Sequence, residues 1–549
     1  MKNRSLIGII AVCLVVILVS KTAYHRLREA GTEPAAENND AQILLSTKED
    51  LYPQNLRTGA VPEVLSLEDE NGNSVSLNDL ASDTNGLWLV FFASWCPDCE
   101  EQLQISDEIQ KTADLYGYRL IYIDRLNPEK ESVQTAEDRI AEHNISAECL
   151  YDRDEVLYHA WGIKEIPTMV ILDSKCRTIN YTHGVRTAGE CRAFAEDASV
   201  GKDVATRNYI LNVMSSGSAD EDTLSIHYST DSVKHLSDTP SGKDVLSESQ
   251  GLMMQYAAIG KDMELFNRIW KFTKQYMLDE KTGLISWRYS SDGKASDANA
   301  LLDDLRIVSA MKTMEEETGS DDVLSADRIT LEQAIAGNNV NSKGQLVSHM
   351  SFSNGKQSDQ LSLCYIDVRT LESISEDLTE KMPTIKDTVS DAESVLLQGY
   401  ISDGFPLFYS TYDYKRGKYL TDILNMSEEL LTLLHLSQAG MLPDKTLNWL
   451  KQRVDEGTLW ARYETDGTVA DGGEFFSTSV YAIAAMIGQS EEDPDLTEKA
   501  LQRMQRYRID DMDNSCYGRF GDVDSSIVIF DELLPMRALQ NERIRLVED

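Results

Sequence analysis

Two thiols that could carry out redox chemistry lie three positions apart in the stretch "SWCPDCEEQ", residues 94–102. The apolar run "LWLVFF" precedes them and the amphipathic segment "CEEQLQISDEIQKTADLYG" follows, which predicts a buried strand and then a helix that begins at the dithiol. The N terminus of a helix offers unpaired N–H groups and partial positive charge, which favour a thiolate. We therefore expect Cys96 to be the attacking thiol and Cys99 to resolve the mixed disulfide.

Paired cysteines can also bind zinc or form an inert disulfide. A zinc site would need two further ligands at suitable spacing, and the isolated Cys149, Cys176 and Cys191 do not supply them. Redox chemistry that requires no metal or other cofactor is therefore the favoured interpretation. The sequence leaves open whether Cys176 and Cys191 form a bridge or stay free.

The elements around the dithiol alternate between short apolar strands and amphipathic helices. Two further strands are predicted at "YRLIYID" and "TMVILD". This alternation indicates an α/β layer fold with parallel strands. "WCPDC" followed far downstream by "EIPTMVILD" closely resembles the thioredoxin superfamily, specifically the membrane-anchored TlpA-like thiol–disulfide oxidoreductases, over a domain at residues 61–199. The resemblance implies a cis peptide at Ile166–Pro167 whose backbone lies against the dithiol and pairs with substrate.

One position departs from the thioredoxin pattern. Thioredoxins usually carry a buried acid on the strand before the dithiol, and Val90 occupies that position here. Glu101 could substitute for it, although an exposed acid in the first turn of a helix is the more ordinary role. The proton acceptor, and with it the direction of electron flow, stays open.

Beyond about residue 200, long amphipathic helices replace the strands and predict an all-α domain at residues 200–549. Apolar residues recur at three- and four-residue spacing in segments such as "SESQGLMMQYAAIG" and "MELFNRIWKFTKQYML". Several segments stop at a glycine, as at Gly260, Gly319 and Gly440.

The connections between these helices repeat. "RYSSDGKASD" (residues 288–297) and "RYETDGTVAD" (residues 462–471) share their Arg-Tyr, Asp-Gly and final Asp, and Asp-Gly is typical of hairpin turns. Six aromatic turn units interleaved with about twelve helices resemble the known architecture of a closed toroid of six helical hairpins, which we favour over an open solenoid.

"LSESQGLMMQYAAIGKDMELF", "GLISWRY" and "DDLRIVSAM" resemble glycoside hydrolase family 8. That family has an (α/α)6 toroid fold and consists of inverting endo-β-glycanases acting on cellulose-, xylan- or chitosan-like polymers. The resemblance places Glu248 at the general-acid position. The alternative is structural: Ser247 and Gln250 could form a capping box in which Glu248 complements the helix dipole.

The family's second acidic element can be matched at two places, Asp297 and Asp304. Because an Asp recurs at the position of Asp297 in the other hairpins, we assign Asp297 to the repeated turn and prefer Asp304 as substrate-binding or electrostatic partner. An inverting mechanism also needs a base. Asp413 is the candidate because it lies among tyrosines, and Asp403 is the runner-up.

Aromatic residues at the hairpins could stack on sugar rings. Trp287, Tyr289, Tyr412 and Trp460 are the candidates, with ordinary core packing as the alternative. They would serve as substrate-binding residues for a β-linked polysaccharide.

The chain has 549 residues and a formal net charge of −40, spread along its length. The length indicates two or more domains. So acidic a balance argues against nucleic acid as a partner and favours a solvated surface.

The N terminus departs from this pattern, since an unbroken apolar run occupies residues 6–19 after a basic start. No convincing cleavage site follows, so an uncleaved membrane anchor at residues 1–21 is favoured over a cleaved signal. Residues 22–60 are polar and predict a flexible linker. Either alternative exports the rest of the chain, which predicts a single-pass cell-membrane protein whose domains are extracytoplasmic.

The leading hypothesis is an exported, membrane-anchored bifunctional protein with thiol–disulfide oxidoreductase and inverting β-glycan hydrolase activities. Its redox partners would be exported protein thiols or disulfides and a membrane redox protein. In the alternative, the toroid binds glycan without cleaving it. A redox switch acting through Cys364 or Cys516 is a further alternative, although each is more typical of a small core residue.

Overall fold

The computed structural model describes residues 53, 55–218, 222–231, 240–319, 322–523 and 525–548. These residues form two compact units, which we call the sheet unit and the ring unit. The predicted anchor, residues 1–21, and most of the predicted linker lie outside the described residues. Within the described ranges, no helix combines the length and apolar character needed to cross a bilayer.

The sheet unit contains a seven-stranded sheet covered by helices. Its strands are β1 (Ser66–Glu68), β2 (Ser74–Ser76), β3 (Gly86–Phe92), β4 (Tyr118–Asp124), β5 (Glu148–Tyr151), β6 (Thr168–Asp173) and β7 (Thr178–His183). Its helices are α1 (Leu77–Ala81), α2 (Pro97–Leu103), α3 (Ser106–Tyr116), α4 (Val133–Glu142), α5 (Val156–Trp161) and α6 (Ala188–Val200).

The strand order is β2-β1-β5-β4-β3-β6-β7, with β3, β4 and β5 parallel and β6 and β7 antiparallel to their neighbours. Every residue of β3 is buried, as a central strand covered on both faces requires. The predicted α/β class is therefore confirmed. The prediction of a single helix after the dithiol is wrong in one detail. The backbone leaves helical geometry at Ile105, and this break separates α2 from α3.

Three segments outside the predicted domain also belong to the sheet unit. Leu56, near the end of the predicted linker, is buried in the core beside β3. The folded domain therefore begins before residue 61, where the sequence pattern placed its start. Residues Arg508–Arg519 and Glu542–Asp549, far downstream, are grouped with the sheet unit as well. The sequence pattern had assigned both to the all-α domain.

A buried ion pair holds one of these downstream segments. Arg508 Nη1 and Nη2 donate to the two carboxyl oxygens of Asp197 on α6, at 2.6 and 2.8 Å. Tyr517 Oη donates to the same carboxylate at 2.9 Å. Both members of the pair are almost fully shielded from solvent, so their contact is a charge-assisted bidentate pair in a dry environment.

The ring unit is helical. Its helices are the end of α7 (Lys202–Val213), then α8 (Ser247–Ile259), α9 (Met263–Tyr276), α10 (Leu301–Thr318), α11 (Asp322–Asn338), α12 (Val368–Leu378), α13 (Ile385–Gln398), α14 (Met426–Gln438), α15 (Asp444–Glu456), α16 (Thr478–Ser490), α17 (Pro494–Gln505) and the first part of α18 (Phe530–Glu548). Helices α8, α14 and α16 are buried on nearly every side, whereas α9, α15 and α17 bury one stripe. The former are inner helices and the latter outer helices.

The ring closes between its last and first inner helices. Gln540 Nε2 on α18 donates to the carbonyl oxygen of Tyr256 on α8 at 2.8 Å. On its other side α18 contacts α16, because Gln489 Nε2 donates to the carbonyl oxygen of Ala538 at 3.0 Å. The predicted closure of the helical domain into a toroid is therefore confirmed.

The repeated Arg-Tyr stretches have one structural role. Arg288–Tyr289 forms strand β11 and pairs with β10, Val245–Leu246, which leads directly into α8. Likewise Arg462–Tyr463, strand β18, pairs with β17, Leu424–Asn425, which leads into α14. The hairpins thus fix where the inner helices begin. The remaining strands are β8 (Ser215–Ser218), β9 (Thr223–Ile226), β12 (Gln360–Ser362), β13 (Tyr400–Ser402), β14 (Phe405–Phe408), β15 (Thr411–Asp413) and β16 (Lys418–Tyr419).

Candidate active sites

The dithiol stands at the start of α2, where the sequence predicted it. Cys96 is the N-cap residue, and its Sγ accepts a hydrogen bond from the backbone N–H of Cys99 at 3.4 Å. Its thiol also lies 3.7 Å from the carbonyl oxygen of Ile166. The Ile166–Pro167 peptide is cis, so the segment expected to pair with substrate borders the attacking sulfur.

The two thiols differ in their surroundings. Cys99 is fully buried behind Cys96. Burial raises the pKa of Cys99 far above its ordinary value, and its hydrogen bond with Cys96 raises it further. Cys99 therefore stays a thiol until a base removes its proton. Cys96, in contrast, lies at the helix N terminus and borders the Ile166 carbonyl.

We expect iodoacetamide at mildly acidic pH to modify Cys96 before Cys99 in the reduced protein, because the buried Cys99 is neither accessible nor ionised. Peptide mass spectrometry over time measures both sites. The buried Cys191 on α6 is an internal control that should react as slowly as Cys99. Labelling of Cys99 ahead of Cys96 would reverse the assigned roles.

A glutamate from outside the motif holds the loop before the dithiol. Glu131 accepts from the backbone N–H of Ser94 at 3.1 Å, from Trp95 Nε1 at 2.7 Å and from the backbone N–H of Asn127 at 3.2 Å. Lys130 Nζ lies 3.6 Å from the centroid of the Trp95 ring. No motif marked these residues, because the contacts join segments far apart in the sequence.

The thioredoxin-type acid is absent from its usual place. Val90 is fully buried among apolar side chains of β3. Glu101 is exposed on α2, so it cannot act as the buried proton acceptor that was considered for it. Glu101 is the fifth residue of α2, beyond the first turn, which contains Asp98 and Glu100. The first-turn role considered for Glu101 is therefore wrong as well.

In the ring unit, Glu248 belongs to a charged cluster at the start of α8. Arg306 Nη1, on α10, donates to Glu248 Oε1 at 3.0 Å and to Asp303 Oδ1 at 3.2 Å. Ser247 Oγ donates to Asp303 Oδ2 at 2.6 Å. The capping box considered for Ser247 and Gln250 is not formed, since Leu246 is the N-cap residue and has no side-chain cap.

The cluster contains one carboxyl that reaches solvent and one that does not. The Glu248 side chain is 29% exposed, whereas Asp303 and Arg306 are buried. Burial raises the pKa of Asp303 to about 7, with a further contribution from the negative charge of Glu248. Asp303 can therefore gain or lose a proton near neutral pH beside Glu248. Sequence analysis missed Asp303 and Arg306, whose spacing resembles an ordinary charged helix surface.

Asp304, the predicted partner of Glu248, has a different environment. It is fully buried, accepts from Asn299 Nδ2 at 2.8 Å and from the backbone N–H of Ile285 at 3.2 Å. Burial raises its pKa well above the ordinary value. Asp303, rather than Asp304, contacts the Glu248–Arg306 pair.

The position of Asp304 recurs around the ring as a structural acceptor. The fourth residue of three inner helices accepts a hydrogen bond from a backbone N–H of the preceding hairpin: Gln250 from Ile226 at 2.8 Å, Asp304 from Ile285 at 3.2 Å and Glu429 from Phe408 at 2.7 Å. Because the glutamine does the same as the acids, the role requires an oxygen acceptor and no charge.

Replacing Glu429 by Gln is expected to stabilise the ring unit at pH 8 and to be neutral near pH 5. Burial raises the pKa of Glu429 from 4.5 to about 8, so the folded state binds the proton more tightly, and stability falls as pH rises from about 4.5 to 8. The gain at pH 8 is on the order of a few kcal/mol. Urea unfolding at both pH values measures it.

Glu456→Gln, at the exposed end of α15, is the control and should leave the pH dependence of the unfolding free energy unchanged. An equal pH dependence in Glu429→Gln and the unmodified chain would contradict the prediction.

The two candidate bases lie in hairpins. Asp413, on β15, accepts from the backbone N–H of Arg416 at 2.9 Å and lies 3.5 Å from the Arg416 guanidinium. The hydrogen bond to Arg416 N lowers the pKa of Asp413. Asp403 is exposed and paired with Lys445. Asp297 accepts from the backbone N–H of Ser353, in another hairpin, at 2.7 Å. Its assignment to the repeated turn stays a prediction.

The candidate sugar platforms differ in accessibility. Trp287 is buried with Tyr228 and Leu246, which fits the core alternative. Tyr289 packs against Phe272 and Tyr276 of α9, with centroids 5.8 and 5.5 Å apart. Tyr412 is half-buried, between Tyr414 and Tyr419 at 5.3 and 4.9 Å, and Trp460 lies 5.2 Å from Phe476.

A carboxyl that the sequence did not single out has the same position in its helix as Glu248. Asp531 is the second residue of α18, as Glu248 is of α8, and accepts from Ser479 Oγ at 2.6 Å. Tyr228 is within electrostatic reach of both acids: burial raises its pKa, and the charges of Glu248 and Asp531 add to the effect. The charges of both acids thus act on one buried tyrosine.

Comparison with known proteins gives separate matches for the two units. Residues 59–181 match the AhpC/TSA family model. The thiol–disulfide oxidoreductase ResA of Halalkalibacterium halodurans is 25% identical over 130 residues, which cover 24% of this chain and 70% of that protein. YdaJ of Bacillus subtilis (strain 168), whose name provisionally describes a lipoprotein, is 26% identical over 329 residues, or 56% of this chain and 82% of that protein.

Solved structures match the helical part. A structure described as a novel α-amylase from Clostridium perfringens is 26% identical with a TM-score of 0.55, covering 62% of this chain and 97% of that one. A family 8 endoglucanase from Klebsiella pneumoniae is 17% identical with a TM-score of 0.41, covering 56% of this chain and 100% of that one. The family match and the similarity to ResA confirm the resemblance of the sheet unit to thiol–disulfide oxidoreductases. The helical part shares its fold with the Clostridium perfringens structure.

Proposed function

We propose that this chain is a bifunctional enzyme in which the sheet unit exchanges thiols with disulfides and the ring unit hydrolyses a polysaccharide. The redox assignment rests on Cys96, an N-cap thiol beside the Ile166 carbonyl, with Cys99 buried one turn behind it. The hydrolase assignment rests on Glu248, the solvent-reaching carboxyl of its cluster.

In the redox reaction, the Cys96 thiolate attacks a substrate disulfide and displaces one substrate thiolate, which leaves a mixed disulfide at Cys96. Cys99 then loses its proton, and its thiolate attacks Cys96 Sγ. The Cys96–Cys99 disulfide forms, and the second substrate thiolate leaves. The substrate has gained two electrons from the dithiol, and the reverse sequence would oxidise a substrate dithiol.

In the hydrolytic reaction, Glu248 donates a proton to the glycosidic oxygen while a second carboxyl activates water. Arg306 holds the Glu248 carboxylate, so a substrate that enters must weaken this contact before Glu248 can carry the proton. Asp303 competes for the same guanidinium nitrogen when it ionises near neutral pH. Asp413 remains the base predicted from the sequence. Asp531 is a second candidate, because its charge and that of Glu248 both act on Tyr228.

The polymer is proposed to be a glucan or related polysaccharide. The family 8 resemblance favours β-linkages, and the α-amylase among the similar structures favours testing α-linkages equally. The sheet unit would act on exported protein thiols or disulfides, with a membrane redox protein as electron partner. Residues 1–21 would anchor the chain with both units extracytoplasmic.

A second candidate function keeps the redox activity and makes the ring unit a glycan-binding module. The Glu248–Arg306 ion pair, at 3.0 Å, favours this function. The guanidinium stabilises the ionised form of the carboxyl group, and an ionised carboxylate has no proton to donate.

Assays of the full chain separate these functions. Reducing-end release from soluble cellulose, xylan, chitosan and starch should show hydrolysis of at least one polymer, and reduction of an exported-protein disulfide should require the reduced dithiol. Binding to a polymer without release of reducing ends would support the glycan-binding alternative. Absence of disulfide exchange would refute the redox assignment.

A further inference from the structure

A buried acid on β4 occupies the face of the sheet that carries the dithiol. Leu120 and Tyr122 of this strand pack in one apolar cluster with Cys96 and Cys99. Side chains two positions apart on a strand share a face, so Asp124, which follows Tyr122 at that interval, belongs to the same face. In the parallel register Asp124 pairs with Phe92, the last residue of the strand that leads to the dithiol.

The carboxyl of Asp124 is only half satisfied. Asp124 is 0% exposed, and its Oδ1 accepts from the backbone N–H of Leu126 at 2.7 Å, but its Oδ2 has no hydrogen-bond partner. A buried carboxyl oxygen without a partner is costly and calls for an explanation. Burial raises the pKa of Asp124 to about 8, with a further contribution from the charge of Glu131.

Several titratable groups face Asp124 from the elements packed around it. Glu131 lies in the segment after β4, Cys149 on β5 and Tyr158 on α5. Tyr158 is fully buried and within electrostatic reach of both Asp124 and Cys99. Its hydroxyl donates hydrogen bonds to the carbonyl oxygens of Phe92 and Ile123, at the ends of β3 and β4. The Tyr158 hydroxyl therefore lies at the end of β3 and β4 where Asp124 is.

We propose that Asp124 accepts the proton of Cys99 when the mixed disulfide at Cys96 is resolved, in place of the acid that is missing at Val90. The step rests on the proposed oxidoreductase function. The Cys99 S–H bond breaks and its proton passes to the Asp124 carboxylate, directly or through one water. The Cys99 thiolate forms the disulfide with Cys96 Sγ, and the substrate leaves with the electron pair of the broken bond.

Stopped-flow oxidation of the reduced full chain by 5,5′-dithiobis(2-nitrobenzoate) separates the two steps, because each releases one coloured thiolate. The first release reports attack by Cys96 and the second reports resolution by Cys99. In Asp124→Asn we expect an unchanged first release and a second release about 100-fold slower at pH 7. The second rate should level off above about pH 8 in the unmodified chain and keep rising with hydroxide in the variant.

Asp152→Asn is the matched control. Asp152 is also buried at a strand end, but its two oxygens accept from the backbone N–H groups of Leu157 and Tyr158 at 3.0 and 2.8 Å. It should leave the second release unchanged. Adding Val90→Asp to Asp124→Asn should restore the second release in part, which a merely structural role of Asp124 would not allow.

Equal slowing of both releases in Asp124→Asn, or an unchanged second release, would overturn the proposal. Absence of a rapid first release in the unmodified chain would instead refute the oxidoreductase function on which it rests, and the proposal with it. A second release that is slow only in Asp124→Asn, with the altered pH profile, supports it.

Discussion

Glu248→Gln is expected to lower the rate of polysaccharide hydrolysis by about 10²- to 10⁴-fold, the contribution of a positioned general acid. Glutamine keeps the shape of the side chain and an oxygen that can accept from Arg306, so the cluster with Asp303 should persist. It cannot supply a proton to the leaving oxygen. Reducing-end release from the polymer that the unmodified chain cleaves measures the effect.

Glu264→Gln is the matched control, since Glu264 is the second residue of the outer helix α9 and is exposed. It should leave the hydrolysis rate unchanged. If Glu248→Gln hydrolyses the polymer as fast as the control, Glu248 is not the acid and the ring unit must use another carboxyl.

Arg508→Met is expected to cost about 3–5 kcal/mol locally, because it leaves the buried carboxylate of Asp197 without its bidentate partner. The loss should appear as faster amide exchange in the segment Arg508–Arg519 and in α6, by roughly 10²- to 10⁴-fold. Hydrogen–deuterium exchange resolved by peptide suits a chain of two units, for which a single unfolding transition is not assured.

An exposed ion pair between the same helix and the same segment gives the control. Arg192 Nη2 lies 2.6 Å from Asp513 Oδ1, with side chains 36% and 69% exposed. Arg192→Ala should cost no more than about 1 kcal/mol. Similar exchange in the two variants would mean that the buried pair contributes nothing beyond an exposed one.

Local patterns carried most of the fold prediction. The dithiol lies at a strand–helix junction, and both the buried strand and the helix start are visible within twenty residues of sequence. The Arg-Tyr turns recur because each forms the strand that pairs with the entry to an inner helix. Such features depend on residues that are close together in the sequence, so composition and periodicity can predict them.

The parts that escaped prediction depend on contacts between distant segments. Asp303 and Arg306 are three residues apart on α10 and resemble a solvated helix face, yet both are buried against Glu248. Asp304 was preferred from its motif position, and only the ring shows that this position repeats as a backbone acceptor. Asp124 lies at the end of an apolar strand. The two-residue alternation of side chains places it on the same sheet face as Tyr122, so the sequence could have marked it as a candidate.

We propose that one chain carries two activities whose chemistry is not coupled. Reducing-end release by a single preparation, assayed first with the Cys96–Cys99 dithiol reduced and then with it oxidised, tests this claim most directly. We predict equal hydrolysis rates in the two states and in Cys96→Ser. A fall on oxidation that Cys364→Ser or Cys516→Ser abolishes would contradict the claim and establish a redox switch, and absence of hydrolysis in both states would contradict the second activity itself.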